Sequence, residues 1–245
     1  MRKLFYLCGV GLLFASCASM GAKKDFTTVL PAALVGISAD GDIRWAGEEK
    51  KDPGLLGLVI NKAVSNEKNK ELSALLSRAD GLISDAEAVL LQKLRANNFS
   101  LVDKDLVLGS AAYKNAKTAP LAGHADLMQP EGYRFINQRD ANFVRSFTAE
   151  TGAQGTLYVY FNFYKMMVNG VEKNGTMAAM VTMNVLLYDS AGKLFFTKAY
   201  TGKGKDTIPV VLGVYDYIRF MNLIPAVIDT VCGVFAAEML KKVTP

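Results

Sequence analysis

Three neighbouring segments restrict the fold of this chain more than any other feature. Leu157 to Val168 reads LYVYFNFYKMMV, Met177 to Tyr188 reads MAAMVTMNVLLY, and Leu194 to Thr201 reads LFFTKAYT. β-branched and aromatic residues recur in each, at strand length. Asn169-Gly170 and Lys173-Asn174-Gly175 part the first two, and Asp189-Ser190-Ala191-Gly192 parts the second from the third. Asn-Gly and Asp/Ser/Gly clusters supply the positive φ that tight hairpins need. The pattern predicts an antiparallel meander.

The remaining segments predict what packs on it. Thr27 to Ala39 reads as a strand, with Pro31 near its start or on an edge, and Asp40-Gly41-Asp42 as a turn. Residues 55–78 read as largely helical, with a break among Ser65-Asn66-Glu67-Lys68-Asn69. Ser84-Asp85-Ala86-Glu87 matches a capping box and predicts a helix opening there, ended by Asn97-Asn98. Phe99 to Asp103 reads as a short strand. Residues 104–136 read as irregular loops with one helical turn. Asp140 to Thr151 predicts a helix with Phe143, Val144 and Phe147 inward and Gly152 as its stop. Gly202-Lys203-Gly204-Lys205 reads as a turn into the tail. The tail, Ile208 to Val243, predicts two helical pieces broken at Pro225. In the second, Ile224, Val227, Ile228, Val231, Phe235 and Met239 share one face. Asp229 and Glu238 argue against a membrane span, because charge at mid-bilayer is costly. The order β–α–β–α–β–β–β–α predicts an α/β (α+β) fold. A single mixed, largely antiparallel sheet carries helices packed on it.

The N-terminus predicts a location. Met1-Arg2-Lys3 precedes an apolar run from Leu4 to Ala15, and Phe14-Ala15-Ser16-Cys17 resembles a bacterial lipobox. The run is too short for a bilayer span, which needs about 20 apolar residues. Cysteine suits the last position because its sulfur takes a diacylglycerol. Cleavage before it then exposes an amine for N-acylation. Residues 1–16 are therefore expected to be a lipoprotein signal peptide, 17–26 a lipidated tether, and 27–245 one periplasmic domain. An ordinary signal cut near Ala15 or Ala18 would leave Cys17 incidental. Cys8 is a poor acceptor inside the apolar core. Ala18 and Ser19, with no Asp beside Cys17, favour an outer-membrane anchor facing the periplasm.

Composition excludes several functions. The formal charge is +5, and two of those charges, Arg2 and Lys3, sit in the leader. Scattered lysines do not form the basic face that nucleic acid requires. Beyond Cys8 and Cys17 only Cys232 remains, in an apolar stretch, and core packing accounts for it. His124 is the lone histidine, so no metal site and no resident cofactor are expected beyond the covalent lipid. No nucleophile elbow, phosphate loop or zinc-protease motif appears, and no catalytic residue is assigned. The acidic pairs Asp40/Asp42, Glu48/Glu49, Asp85/Glu87 and Asp103/Asp105 are covered by turns and caps. Tyr158, Tyr160, Phe161, Phe163 and Tyr164 crowd one hairpin arm, with Trp45 just beyond the first turn. They are candidates for a hydrophobic groove, although core packing and cross-strand pairing explain most such clusters.

Short phrases carry a family resemblance. Glu87-Ala-Val-Leu-Leu-Gln-Lys-Leu94 followed by Asn98-Phe-Ser-Leu-Val-Asp-Lys104 resembles the helix-then-strand unit of the curli-secretion lipoprotein (CsgG-like) family and its TolB N-terminal-like relatives. Thr151-Gly-Ala-Gln-Gly-Thr-Leu-Tyr-Val159 is similar to that family's helix, Gly-Ala, strand phrase. Leu187-Tyr-Asp-Ser-Ala-Gly-Lys-Leu194 is similar to its late turn. The resemblance implies a lipid-anchored periplasmic α/β domain related to secretion-channel subunits and activators of peptidoglycan synthases. It implies no catalytic residues. The channel members carry extra membrane-spanning hairpins, and no such pair is found here.

The leading expectation is a non-enzymatic envelope lipoprotein that binds a protein partner in envelope assembly or secretion and touches the membrane through its anchor. The second is a carrier of lipid or another hydrophobic ligand. The third is an envelope hydrolase. A closed tail-helix contact favours the first, an apolar cavity beneath that helix the second, and a cleft of converging carboxylates the third.

Overall fold

The computed structural model describes residues 25–47, 66–118, 127–171 and 174–244, and only the backbone within 66–80. Cys8, Cys17, the tether up to Lys24, Glu48/Glu49, His124 and the expected helix start at 55–65 lie outside the described residues.

The meander forms as predicted and is longer than its apolar runs. Strands β4 (Gly155–Val171) and β5 (Asn174–Asp189) pair antiparallel along their whole lengths, and β6 (Leu194–Lys203) pairs antiparallel with β5. Strand β1 (Ala32–Asp40) lies parallel to β4, with Ile37 opposite Val159. Its short continuation β2 (Arg44–Trp45) follows the same edge of β4. Strand β3 (Leu127–Met128) pairs antiparallel with the end of β1. The result is one mixed, mostly antiparallel sheet in the order β3-β1-β4-β5-β6.

Helices cover both faces unequally. Helix α1 (Asn66–Ala96) and the tail helix α6 (Ile224–Val243) pack on one face. Ile83, Ala86, Leu90 and Leu94 recur at helical spacing, and all four are fully buried there. On α6, Ile224, Val227, Ile228, Val231, Phe235 and Met239 are at most 1% exposed, as their shared face predicted. The helix approaches β6 closely because Gly202 leaves room: a Cβ there would stand 2.7 Å from a Val231 methyl. The other face carries the short helices α2 (Lys104–Gly109) and α3 (Ala111–Asn115) and helix α4 (Ala141–Thr151). Asp140 caps α4 by accepting from the Asn142 and Phe143 amides, at 3.0 and 3.2 Å. Phe143, Val144 and Phe147 point inward, and Gly152 ends the helix.

Several expectations need correction. No helix opens at Ser84. It lies inside the continuous α1, whose preceding turns already occupy the amides a capping box would satisfy. Glu87 turns inward instead and pairs with Lys104 at 2.8 Å. The chain at Thr27 is not yet a strand: Phe26–Val29 form a 3-10 turn capped by Asp25, and β1 begins after Pro31. Phe99 to Asp103 makes only a single parallel bridge, Leu101 to Ala32, and Asp103 caps α2. Residues 104–136 hold two short helices rather than one turn.

The tail does not begin as a helix. Ile208–Val211 form strand β7, which continues the line of β6 along β5. Ile208 and Val210 face the core while Pro209 and Val211 face out, a period of two. Pro209 is tolerated because β7 has no further neighbour needing its missing N–H. Gly202 and Lys203 therefore end β6 and do not lead into a helix. A reciprocal pair of hydrogen bonds between Val211 and Val214 (3.0 and 2.9 Å) closes a two-residue turn after β7. Helix α5 (Tyr217–Met221) follows, and Pro225 starts α6, where it lacks only an amide that has no helical partner.

Candidate functional site: a polar cleft on the open face of the sheet

Alternation along β4 divides the five aromatic groove candidates between two faces. Phe161 and Phe163 point toward α1 and α6, are at most 1% exposed, and lie 6.3 Å apart with nearly parallel rings. Tyr158, Tyr160 and Tyr164 point the other way. The proposed single groove is therefore not formed, because successive strand residues face opposite sides. Phe161 and Phe163 are core residues. Tyr158 and Tyr160 line a different feature, a cleft of about 640 Å³ on the opposite face. Tyr164 is not among its lining residues.

The cleft exists because α2, α3 and α4 cover only the first half of that face. Its floor is β1, β4 and β5, with Ser38, Tyr160 and Asn184 presenting polar groups. Its roof is the segment from Gln129 to Arg139. Arg134 holds the roof in place. Its guanidinium donates to the carbonyls of Tyr113 (3.1 Å), Lys114 and Ala116 (3.4 Å) at the end of α3, where helical carbonyls lack a following turn. Its own amide donates to the Tyr113 hydroxyl at 3.0 Å. At the floor, the ring of Tyr158 fills the space above Gly36, where a Cβ would come within 2.9 Å of it. Tyr188 meets that ring edge-on at 5.7 Å.

The electrostatics keep the cleft phenols protonated. Burial pushes the Tyr158 hydroxyl far above the ordinary range, with the neighbouring Tyr188 adding to it. Tyr160 is raised by burial first and by the Asp40 carboxylate second. Both phenols are therefore neutral donors at physiological pH. Asp40 itself is buried and paired with Arg44. Among the described residues, no Asp, Glu, His or Cys lines the cleft itself, and the nearest carboxylate is Asp40, beside Tyr160. The Tyr158 hydroxyl interacts with the Thr156 side chain beside it. Gln138 Oε1 is a buried lining acceptor without a protein donor, and most buried polar atoms are satisfied, so it suits an incoming donor.

On the helical face the described residues form a closed core. Cys232 is free and buried there, 4.0 Å from the Met183 sulfur, and burial pushes its thiol up to about 12. Among the described residues no group of His, Cys, Asp and Glu could hold a metal ion. Asp103 caps α2, and Glu87 is paired with Lys104, so neither acidic pair at these positions gathers into a site. Sequence reasoning missed Gln138, Arg134, Ser38 and Asn184. They sit on three separate segments, with Arg134 and Gln138 both in the roof, and no sequence motif connects them. No protein-family model matches the sequence, and no curated protein matches it.

Proposed function

We propose that this is a non-enzymatic envelope lipoprotein, anchored at Cys17 in the outer membrane and facing the periplasm. It binds a partner through the open-face cleft in envelope assembly or secretion. The observation that supports partner binding is the closed contact of α6. Its apolar face is buried against the sheet, so the greasy surface a lipid carrier would use is occupied internally. The pocket left on the other face sets amides, arginines and phenols among apolar side chains, a mixture that suits a peptide segment carrying both backbone polar groups and apolar side chains. The resemblance to CsgG-like and TolB N-terminal-like proteins agrees with this role and adds no catalytic residue.

A photo-crosslinking residue in place of Asn184, incorporated in living cells, tests the reading. Covalent capture of one envelope protein, reduced by Arg139→Glu in the same cleft, is expected. Recovery of phospholipid alone would favour the carrier, whose support is a cleft volume within the range of small-molecule sites. For the anchor, fatty-acid labelling of the wild type and its loss in Cys17→Ala are expected. Equal labelling of both would remove the lipoprotein reading.

A further inference from the structure

Among the described residues, the exposed aliphatic side chains are concentrated at one place. Of nine large hydrophobic residues exposed among those described, six lie at the far end of the β4–β5 hairpin and just after β7. They are Val168, Val171, Val211, Leu212, Val214 and Ile218, from 52% to 80% exposed. Val171, Asn174 and Val211 form one cross-strand row, so the two valines share a face at the tip. The other three, Leu106, Leu194 and Val234, are scattered singly, as on any soluble surface.

The Leu212 turn is built against local preference. Leu212 and Gly213 both have positive φ, +52° and +80°, in a two-residue hairpin of the kind that favours Asn-Gly. A branched side chain is strained there. It is also the most exposed of the nine, at 80%. Asn174 Oδ1 accepts from the Leu212 amide at 3.0 Å and helps to hold the turn.

Behind the tip stands an aromatic and basic collar. Lys165 Nζ lies 5.2 Å from the Trp45 ring and 5.8 Å from the Tyr215 ring, and Tyr217 is 6.4 Å from Tyr215. Lys165 precedes Val171 by six residues, about 20 Å along an extended strand. Trp45 and Tyr215 are partly buried against the core, so this collar braces the hairpin behind its tip. The β6–β7 edge leading to the tip exposes Lys193, Lys203 and Lys205, against Asp206 on the same edge. Asp216 and Arg219 on the exposed side of α5 offset each other. In sequence, Glu172 and Lys173 also offset each other.

We infer that the β6–β7 edge lies along a phospholipid surface, with the Leu212 turn inserted into it. The point where the described chain begins fits this orientation. Phe26 packs on Phe195 and Phe196 at the start of β6, 4.9 and 5.6 Å away, at the opposite end of the same edge. A domain standing upright on that end would hold the tip about 50 Å away, the length of β5. Lying on the edge brings both ends to one membrane. The insertion itself does not depend on a lipid at Cys17.

Trp45 is the sole tryptophan, which makes depth measurement direct. In a Trp45→Phe background, full-length chains carrying Leu212→Trp or Asn115→Trp would be bound to phosphatidylcholine–phosphatidylglycerol vesicles with brominated acyl chains. Asn115 is exposed at the end of α3 and serves as the remote position. Fluorescence at residue 212 should be quenched at least about twofold more than at 115. Separately, Leu212→Asn in the Cys17→Ala chain should weaken vesicle association about tenfold, the effect of losing one buried leucine. Asn suits the turn, so this variant keeps the fold. Equal quenching at the two positions would overturn the proposal. So would unchanged vesicle association of Leu212→Asn, or a fall in its sedimenting mass that identified a second copy as the occupant. Failure of Cys17 labelling would leave both vesicle results standing.

Discussion

The two faces of the sheet are made from the same strands and serve opposite ends. Toward α1 and α6, Leu157, Val159, Phe161 and Phe163 meet helix residues that are buried almost without remainder. Toward the roof, Tyr158, Tyr160, Ser38 and Asn184 leave a cleft, and the buried Gln138 Oε1 there has no protein donor. Close packing on one side supplies the stability that lets the other side remain incomplete. The difference teaches that the functional signal here is under-packing, not any particular motif.

Mutations should separate the two faces. The largest loss is expected for Phe161→Ala, about 3–5 kcal/mol from transfer and cavity together, seen as a lower denaturant midpoint. A loss under about 1 kcal/mol there would break the comparison. Next is Gly202→Ala, which forces a methyl to within 2.7 Å of Val231 and should cost about 1–3 kcal/mol by lifting α6 from β6. Arg134→Ala should cost about 1–2 kcal/mol, because it frees the roof from the carbonyls of α3. Hydrogen exchange should rise over 127–136 and not along α6. If exchange rose equally in both, the roof would not be an independent device.

Cys232 tests the closed face by pH. Its folded-state value near 12 lies above the ordinary thiol value of 9.0, so folding favours the protonated form. That contribution is fully present below about pH 9 and falls by roughly 1 kcal/mol per unit as pH rises from there toward 12. The stability difference between wild type and Cys232→Ala should move accordingly between about pH 8 and pH 10. The smallest effect is expected for Asn184→Ala, a change within about 0.5 kcal/mol in stability that nonetheless reduces partner crosslinking. A large loss of stability would place Asn184 with the core.

Legibility in the sequence followed the range of the interaction. The meander was readable because strand period and turn residues are local, as at Asn169-Gly170 and Asp189 to Gly192. The buried face of α6 was readable because its residues recur at helical spacing. The capping-box reading at Ser84 failed because such a box needs free amides, and the preceding turns of α1 had taken them. The aromatic groove failed because a cluster in sequence is halved by strand alternation. Strand β7 was missed because four residues beside a long apolar helix read as part of it.

By itself the sequence determined the local elements and their core faces, since backbone period and apolar spacing act over a few residues. Only the tertiary structure decided that Gly36 meets Tyr158, that Arg134 closes a roof onto α3, and that Val211 joins Asn174 and Val171 in one row at the tip. These contacts join segments up to about 120 residues apart. Their register is chosen by the burial of the whole sheet, which no single segment can specify.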